Sequence, residues 1–174
     1  MRLFAWLLTL VFGAPKAIGP NGPRRPPTGD PLMLRWHLGT WFGRDYRVHH
    51  ILRPDNGPDP HDHPYAFTSR VLKGWLEETV FDPGPGQTTR RTPFMVSRVV
   101  YEHLQWFHHR GIFLKSTFPA THTHLITAVS PGGCWTLVSA RASNFVAGAA
   151  WERVWGFWTD KGFVPYDRYD GGDR

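Results

Sequence analysis

An all-β domain is what this chain of 174 residues predicts, and three observations carry the prediction. Short runs of β-rich or alternating character recur along it, Gly/Pro-rich turn signals separate them, and large aromatic side chains supply much of the buriable area. Sixteen prolines, eighteen glycines and nine tryptophans fit short elements joined by sharp turns. Strands at this spacing argue for an antiparallel sandwich or barrel. A hydrophobic content of 41% is enough for one core in one domain without disulfides. Cys134 is the only cysteine, which excludes an internal disulfide and a Cys-based zinc cluster within one chain.

The elements follow in order. Residues 3–12 are apolar behind Arg2, too short to cross a bilayer as a helix, and read as a helix or arm covering the barrel. A cleaved signal is the alternative, but Phe12, Pro15 and Lys16 suit peptidase cleavage poorly, so a cytoplasmic location is expected. Residues 13–31 are rich in Gly, Pro and Arg and read as a loop. The chain thus divides into an arm and linker (1–30), a barrel (31–166) and a polar tail (167–174). Strands are expected at 32–38, 46–52, 65–72, 75–81, 94–101, 113–118, 125–129, 135–140 and 154–158. Turn signals lie at 54–57, 82–86 and 130–133, and the one further helix candidate is 147–154.

The formal charge of +6 favours acidic partners by long-range attraction. Nucleic acid has low weight among them. The basic residues are scattered, with only Arg24-Arg25, Arg90-Arg91 and His108-His109-Arg110 clustered, and no groove-reading motif accompanies them. No phosphate-cradling glycine loop, nucleophile elbow or Cys-His pair is evident, which leaves Ser69 and Cys134 as ordinary strand residues.

Histidine is where the chemistry concentrates. Nine of the ten histidines fall between His49 and His124, and two pairs, His61-Asp62-His63 and His122-Thr123-His124, have the form His-x-His. Residues two apart on a strand share a face, so each pair can aim both imidazoles into a barrel, and neutral imidazole binds zinc, iron, nickel, copper or manganese. Two such pairs about sixty residues apart make chance unattractive and point to His61, His63 and His124 as ligands of one divalent ion. His122 reads as a further ligand, as a partner behind the ligands or as a solvent-facing residue. His49 or His50 must point inward on the preceding strand, whereas His103, His108 and His109 suit a surface turn.

Here the chain resembles a known family. His61-Asp62-His63-Pro64, followed by a strand to Gly74 and then Glu77, is similar to the first motif of the cupin superfamily. The wider set Arg35-Trp36, Arg53-Pro54-Asp55, His61 to Pro64, His124, Trp135-Thr136-Leu137 and Trp155-Gly156-Phe157 resembles small cupin-like proteins of bacteria and bacteriophages over residues 30–166. The resemblance implies a cupin double-stranded β-helix, or jelly-roll barrel, with a metal inside it. It implies no particular reaction. Where the usual cupin glutamate would lie this chain has Phe67 or Thr68. A three-histidine set is the simplest replacement and resembles that of thiol dioxygenases, which hold ferrous iron. Glu77 is the nearest substitute carboxylate, with an exposed strand position beside Glu78 as the competing reading.

For a small-molecule ligand, Arg70, Arg153 and Tyr65 are the candidate contacts, since a guanidinium withdrawn from water needs an anion. The other aromatics, Phe67, Trp75, Trp135, Trp155 and Phe157, read mainly as packing. Two classes of function are open. One is a metal-dependent enzyme acting on a small polar or anionic molecule, either an Fe2+ oxygenase or a Zn2+ or Mn2+ isomerase or epimerase, with Ni2+ also compatible. The other is a non-catalytic barrel that binds a sugar or nucleotide and uses its metal as a brace. A homodimer is compatible with either.

Overall fold

The computed structural model describes residues 2–19, 30–55, 57–82, 94–102, 116–145 and 154–169. A helix, α1 (Arg2–Phe12), precedes strands β1 (Lys16–Ile18), β2 (Met33–Trp41), β3 (Arg44–Ile51), β4 (Phe67–Lys73), β5 (Trp75–Asp82) and β6 (Phe94–Glu102). Strands β7 (Ser116–Phe118), β8 (Thr123–Val129), β9 (Cys134–Arg141), β10 (Gly156–Thr159) and β11 (Gly162–Pro165) follow. They form a six-stranded sheet in the order β1-β2-β3-β9-β4-β7, a three-stranded sheet β6-β5-β8 and the hairpin β10-β11, with antiparallel pairing throughout.

Successive segments change sheet. β3 lies in the large sheet, the segment at His61 bridges to β8 in the small one, β4 returns to the first, β5 and β6 belong to the second, and β7, β8 and β9 alternate again. With β9 inserted between β3 and β4, and β8 beside β5, this is the jelly-roll barrel, an architecture that includes the cupins. The all-β expectation with a short N-terminal helix therefore holds.

The faces of the large sheet differ. On the outer face Leu8 of α1 packs on Trp36, Val48 and Trp135, with Leu34, Leu38, Leu72 and Leu137 around them. The Trp36 indole N–H donates to Thr9 Oγ1 at 3.3 Å, which fixes the helix on the sheet. On the inner face Ile51 and Cys134 meet Leu76 of the small sheet, joined by Met33, Val71, Ile126 and Val129. This apolar plug closes one end of the barrel and leaves the middle and the other end for polar groups. Burial pushes the Cys134 thiol up to about 12, so it is an inert core residue.

Some local expectations need correction. The predicted loop 13–31 contains β1, whose three residues are too few to show alternation but pair with β2 from Met33 to Arg35. The strand expected from residue 65 begins at Phe67, because β4 takes its register from Phe118 and Ala140 there. The strand expected at 154–158 begins at Gly156 and turns back through β11, a strand absent from the expected set. The helix candidate 147–154 lies outside the described residues except Val154, which is not helical; of the strand expected at 113–118, residues 113–115 lie outside them and Ser116–Phe118 form β7. Among the described residues no helix is long and apolar enough to cross a membrane.

Candidate metal centre

Backbone pairing brings the two His-x-His pairs together. His61 and His124 exchange reciprocal N–H to carbonyl bonds of 2.9 Å, and the His63 N–H donates to the Ala120 carbonyl at 3.1 Å. Between the two histidines Asp62 turns away. Its carboxylate, 1% exposed, accepts the Gly156 N–H at 2.8 Å while its own N–H donates to the Gly156 carbonyl. Asp62 thus ties the loop to β10 and leaves its two neighbours to face the interior.

One ligand atom from each of His61, His63 and His124 lies within 4.8 Å of the others. His63 Nε2 and His124 Nε2 face each other at 3.1 Å. Two imidazole nitrogens bound at right angles to one ion, each about 2.1 Å from it, would be about 3 Å apart, so the pair already has the edge length of a coordination polyhedron. The donor set fits a divalent transition ion.

The carboxylate that the structure sets beside the histidines is Glu78, and not the expected Glu77. Glu78 is 2% exposed and takes His122 Nε2 on one oxygen at 2.9 Å and His124 Nδ1 on the other at 2.5 Å. Burial alone would push its carboxyl up, but the hydrogen bonds from His122 and His124 prevail and hold it at about 2. An ionised carboxylate only accepts, so the ring nitrogens facing it carry protons. His124 is thereby held with Nδ1–H toward Glu78 and Nε2 toward His63, the arrangement that orients a metal-binding imidazole. Glu77 points elsewhere. A register shift between Glu77 and Glu78 sets Thr127 beside it, and the Thr127 hydroxyl donates to Glu77 Oε1 at 2.8 Å.

His61 is desolvated, which lowers its pKa to about 4 although Asp55, 3.9 Å from its Nδ1, pulls the other way. It is neutral at physiological pH and carries the lone pair that a metal needs. Phe67 stands edge-on to the His63 ring at a centroid distance of 4.7 Å, so the place where a carboxylate was sought holds an aromatic wall. Phe157 packs against His61 at 5.7 Å and stacks on Tyr169 at 3.6 Å.

The remaining candidates divide. His49 faces inward but stands apart from the histidine cluster, because β3 sets it against Arg35 and Thr136, and its Nε2 accepts from Arg35 Nε at 3.1 Å. Its lone pair is thus engaged, and it is not a ligand here. Burial, with Arg35 and Arg47 alongside, holds its pKa well below the ordinary value. His50 lies on the other face, stacked on Trp135 at 4.0 Å. Arg70 pairs in register with Leu137 and so shares the helix-covered outer face, which corrects its assignment to the ligand pocket. Tyr65 does line an interior cavity, together with Arg35, Asp45, Arg47 and His49. Arg153, His103, His108, His109 and the paired arginines at 24–25 and 90–91 lie outside the described residues.

No protein-family model matches the chain, and no curated protein matches it in sequence. Among solved structures it is similar to the hydroxypropylphosphonic acid epoxidase from S. wedmorenis, with 11% identity, 73% of this chain and 55% of that chain covered, and a TM-score of 0.42. It is similar to KdgF from Halomonas sp. at 12% identity, covering 66% and 83% of the two chains with a TM-score of 0.42. For an oxalate oxidase the figures are 14% identity, 77% and 63% coverage, and a TM-score of 0.41. The chain spans about half the length of the first structures it matches. Overlaps of this size assign neither family nor reaction, and the chemistry of the site rests on its own residues.

Proposed function

We propose that this chain is a cupin-type protein that holds one divalent transition-metal ion on His61, His63 and His124 and works as an Fe2+-dependent oxygenase on a small polar or anionic molecule. The observation that carries the reading is the facing pair of Nε2 atoms at 3.1 Å, with the His124 ring held from behind by buried Glu78. A divalent ion on three imidazoles would supply a Lewis-acid centre with coordination positions left for a ligand and for oxygen. Glu78 keeps the proton on His124 Nδ1 and so keeps Nε2 free for the ion. Phe67 and Phe157 form apolar walls beside the ligating rings and limit water there. With all three ligands neutral, the ion keeps its full charge and attracts anions.

A second reading has its own support. Glu78, His122 and His124 also offer ligand atoms within 4.8 Å of one another, and an ion there could brace the barrel without catalysis, or serve a zinc or manganese isomerase. The two placements use opposite nitrogens of His124, so one ion cannot occupy both. Metal analysis of the untagged protein and its single-alanine variants separates them. Loss of the ion in H61A and H63A with partial retention in H122A supports the three-histidine site, and the reverse order moves the ion to Glu78 and His122. Ferrous protein with open positions should bind nitric oxide, the oxygen surrogate, and give a new paramagnetic signal. A closed structural site gives none, and that result would exclude the oxygenase reading.

A further inference from the structure

The inner face of the large sheet carries a second group of charges. On β2 and β3 the register sets Arg35 opposite His49, and Asp45, Arg47 and His49 follow one another along the same face of β3. With Tyr65, Val138 and Ala140 they line a cavity of about 30 Å³. Arg47 Nε pairs with Asp45 Oδ1 at 2.7 Å, and its guanidinium also donates to the Tyr65 hydroxyl. Asp45 is shared further, since its other oxygen meets His37 Nε2 at 2.5 Å. Arg35 donates through Nε to His49, and among the described residues its terminal Nη groups have no hydrogen-bond partner.

The charge is unbalanced. Among the residues that line the cavity two guanidinium groups face one carboxylate, while His49 is held neutral by burial and by the arginines themselves, and Tyr65 and nearby Tyr166 stay un-ionised because burial raises their pKa values. Among these lining residues one net positive charge thus remains where desolvation is already felt by Arg35, and such a charge is stabilised by an anion. The residual charge is a single unit, the cavity is small, and the unengaged donors belong to a planar guanidinium fork. A planar monoanion fits these features better than a tetrahedral dianion such as phosphate.

The cavity and the histidine site share walls. Ala140, which lines the cavity, pairs with Phe67, whose ring packs on His63. Tyr166, close enough to Arg35 to feel its charge, lies 6.5 Å from Phe157, whose ring packs on His61. We propose that Arg35, Arg47 and Tyr65 form a carboxylate subsite that anchors the acid group of a small ligand whose other end reaches the ion on His61, His63 and His124. The last clause rests on the proposed metal site. The subsite itself does not.

The test is an NMR titration of the full chain with acetate and, separately, with inorganic phosphate, before and after chelation and zinc loading. In the chelated protein acetate should bind saturably at one site, more tightly than phosphate, and Arg35→Gln should weaken it by at least about tenfold through loss of the charged fork. Arg70→Gln, on the outer face, should leave acetate binding unchanged. Should Arg35→Gln fail to fold, Arg35→Lys, which keeps the charge but not the fork, and Tyr65→Phe should each still weaken acetate binding. Equal acetate affinity in wild type and these variants, or phosphate binding more tightly than acetate, would overturn the subsite. His63→Ala separates the two proposals. If it loses zinc but keeps Arg35-dependent acetate binding, both stand. Acetate binding that depends on Arg35 in a protein that holds no zinc keeps the subsite and removes the metal reading. Zinc binding with acetate indifferent to Arg35 does the opposite.

Discussion

Glu78 holds two imidazoles from inside the barrel, and replacing it tests its role most cleanly at the scale of one residue. Glu78→Gln keeps the shape but can present only one acceptor oxygen, so His124 or His122 loses its fixed tautomer. Metal affinity should fall by about ten- to a hundredfold, the usual cost of removing the group behind a ligand, while Glu77→Gln should change it little. Competition with a chromogenic chelator reads the difference. A second prediction concerns acid. In the ion-free protein His61 titrates at about 4 when folded against 6.5 in an unfolded chain, so the unfolded state takes up its proton first as pH falls. Stability from a neutral His61 is therefore complete above about 6.5 and is lost as pH falls toward about 4. Glu78, at about 2 folded against 4.5, gives a second window in the same direction, with its contribution lost as pH falls from about 4.5 to 2. Thermal melts of chelated protein across these windows should show the melting temperature falling with pH, and a flat profile would contradict both assignments.

At the scale of elements, the path from β4 into β5 turns at Gly74, where the chain leaves one sheet for the other. Its φ of +78° is in the left-handed region, and an added Cβ would overlap Ser130 Oγ and stand 2.6 Å from the Gly133 carbonyl oxygen. Gly74→Ala should cost about 1–3 kcal/mol, seen as a lower denaturation midpoint, because both backbone strain and a backbone clash oppose it. Much at this scale was legible in the sequence. The main strands show as β-rich runs, and His61-Asp62-His63 and His122-Thr123-His124 announce their shared direction through period-two geometry. The choice between Glu77 and Glu78 was not legible. It depends on a register shift at Thr127 in the partner strand, and a one-residue slip exchanges inside for outside. Arg70 was misplaced for a related reason, since alternation along β4 gives two faces without saying which one α1 will cover. Arg35 and Arg47 were not singled out as a pair because strand pairing, not sequence spacing, brings them together.

For the whole molecule, the outer face of the large sheet is completed by α1 and the inner face is divided between an apolar plug and a polar chamber. Leu8, 7% exposed against Trp36 and Trp135, is the helix's main anchor. Leu8→Ala should lower stability by about 2–3 kcal/mol through lost burial and a cavity, without changing metal content, since no histidine of the site touches that face. Calorimetry paired with elemental analysis separates the two readouts. A joint loss of stability and metal would mean that the helix supports the site through the sheet. The central claim, that the barrel's interior holds one ion on three histidines, is tested most directly by the metal content of untagged protein and of its His61→Ala, His63→Ala, His124→Ala and His122→Ala variants after equal exposure to Fe2+ or Zn2+. The account predicts about one ion per chain in wild type, near-complete loss in the first three variants and partial retention in His122→Ala. Stoichiometric metal in His61→Ala and His63→Ala would contradict it.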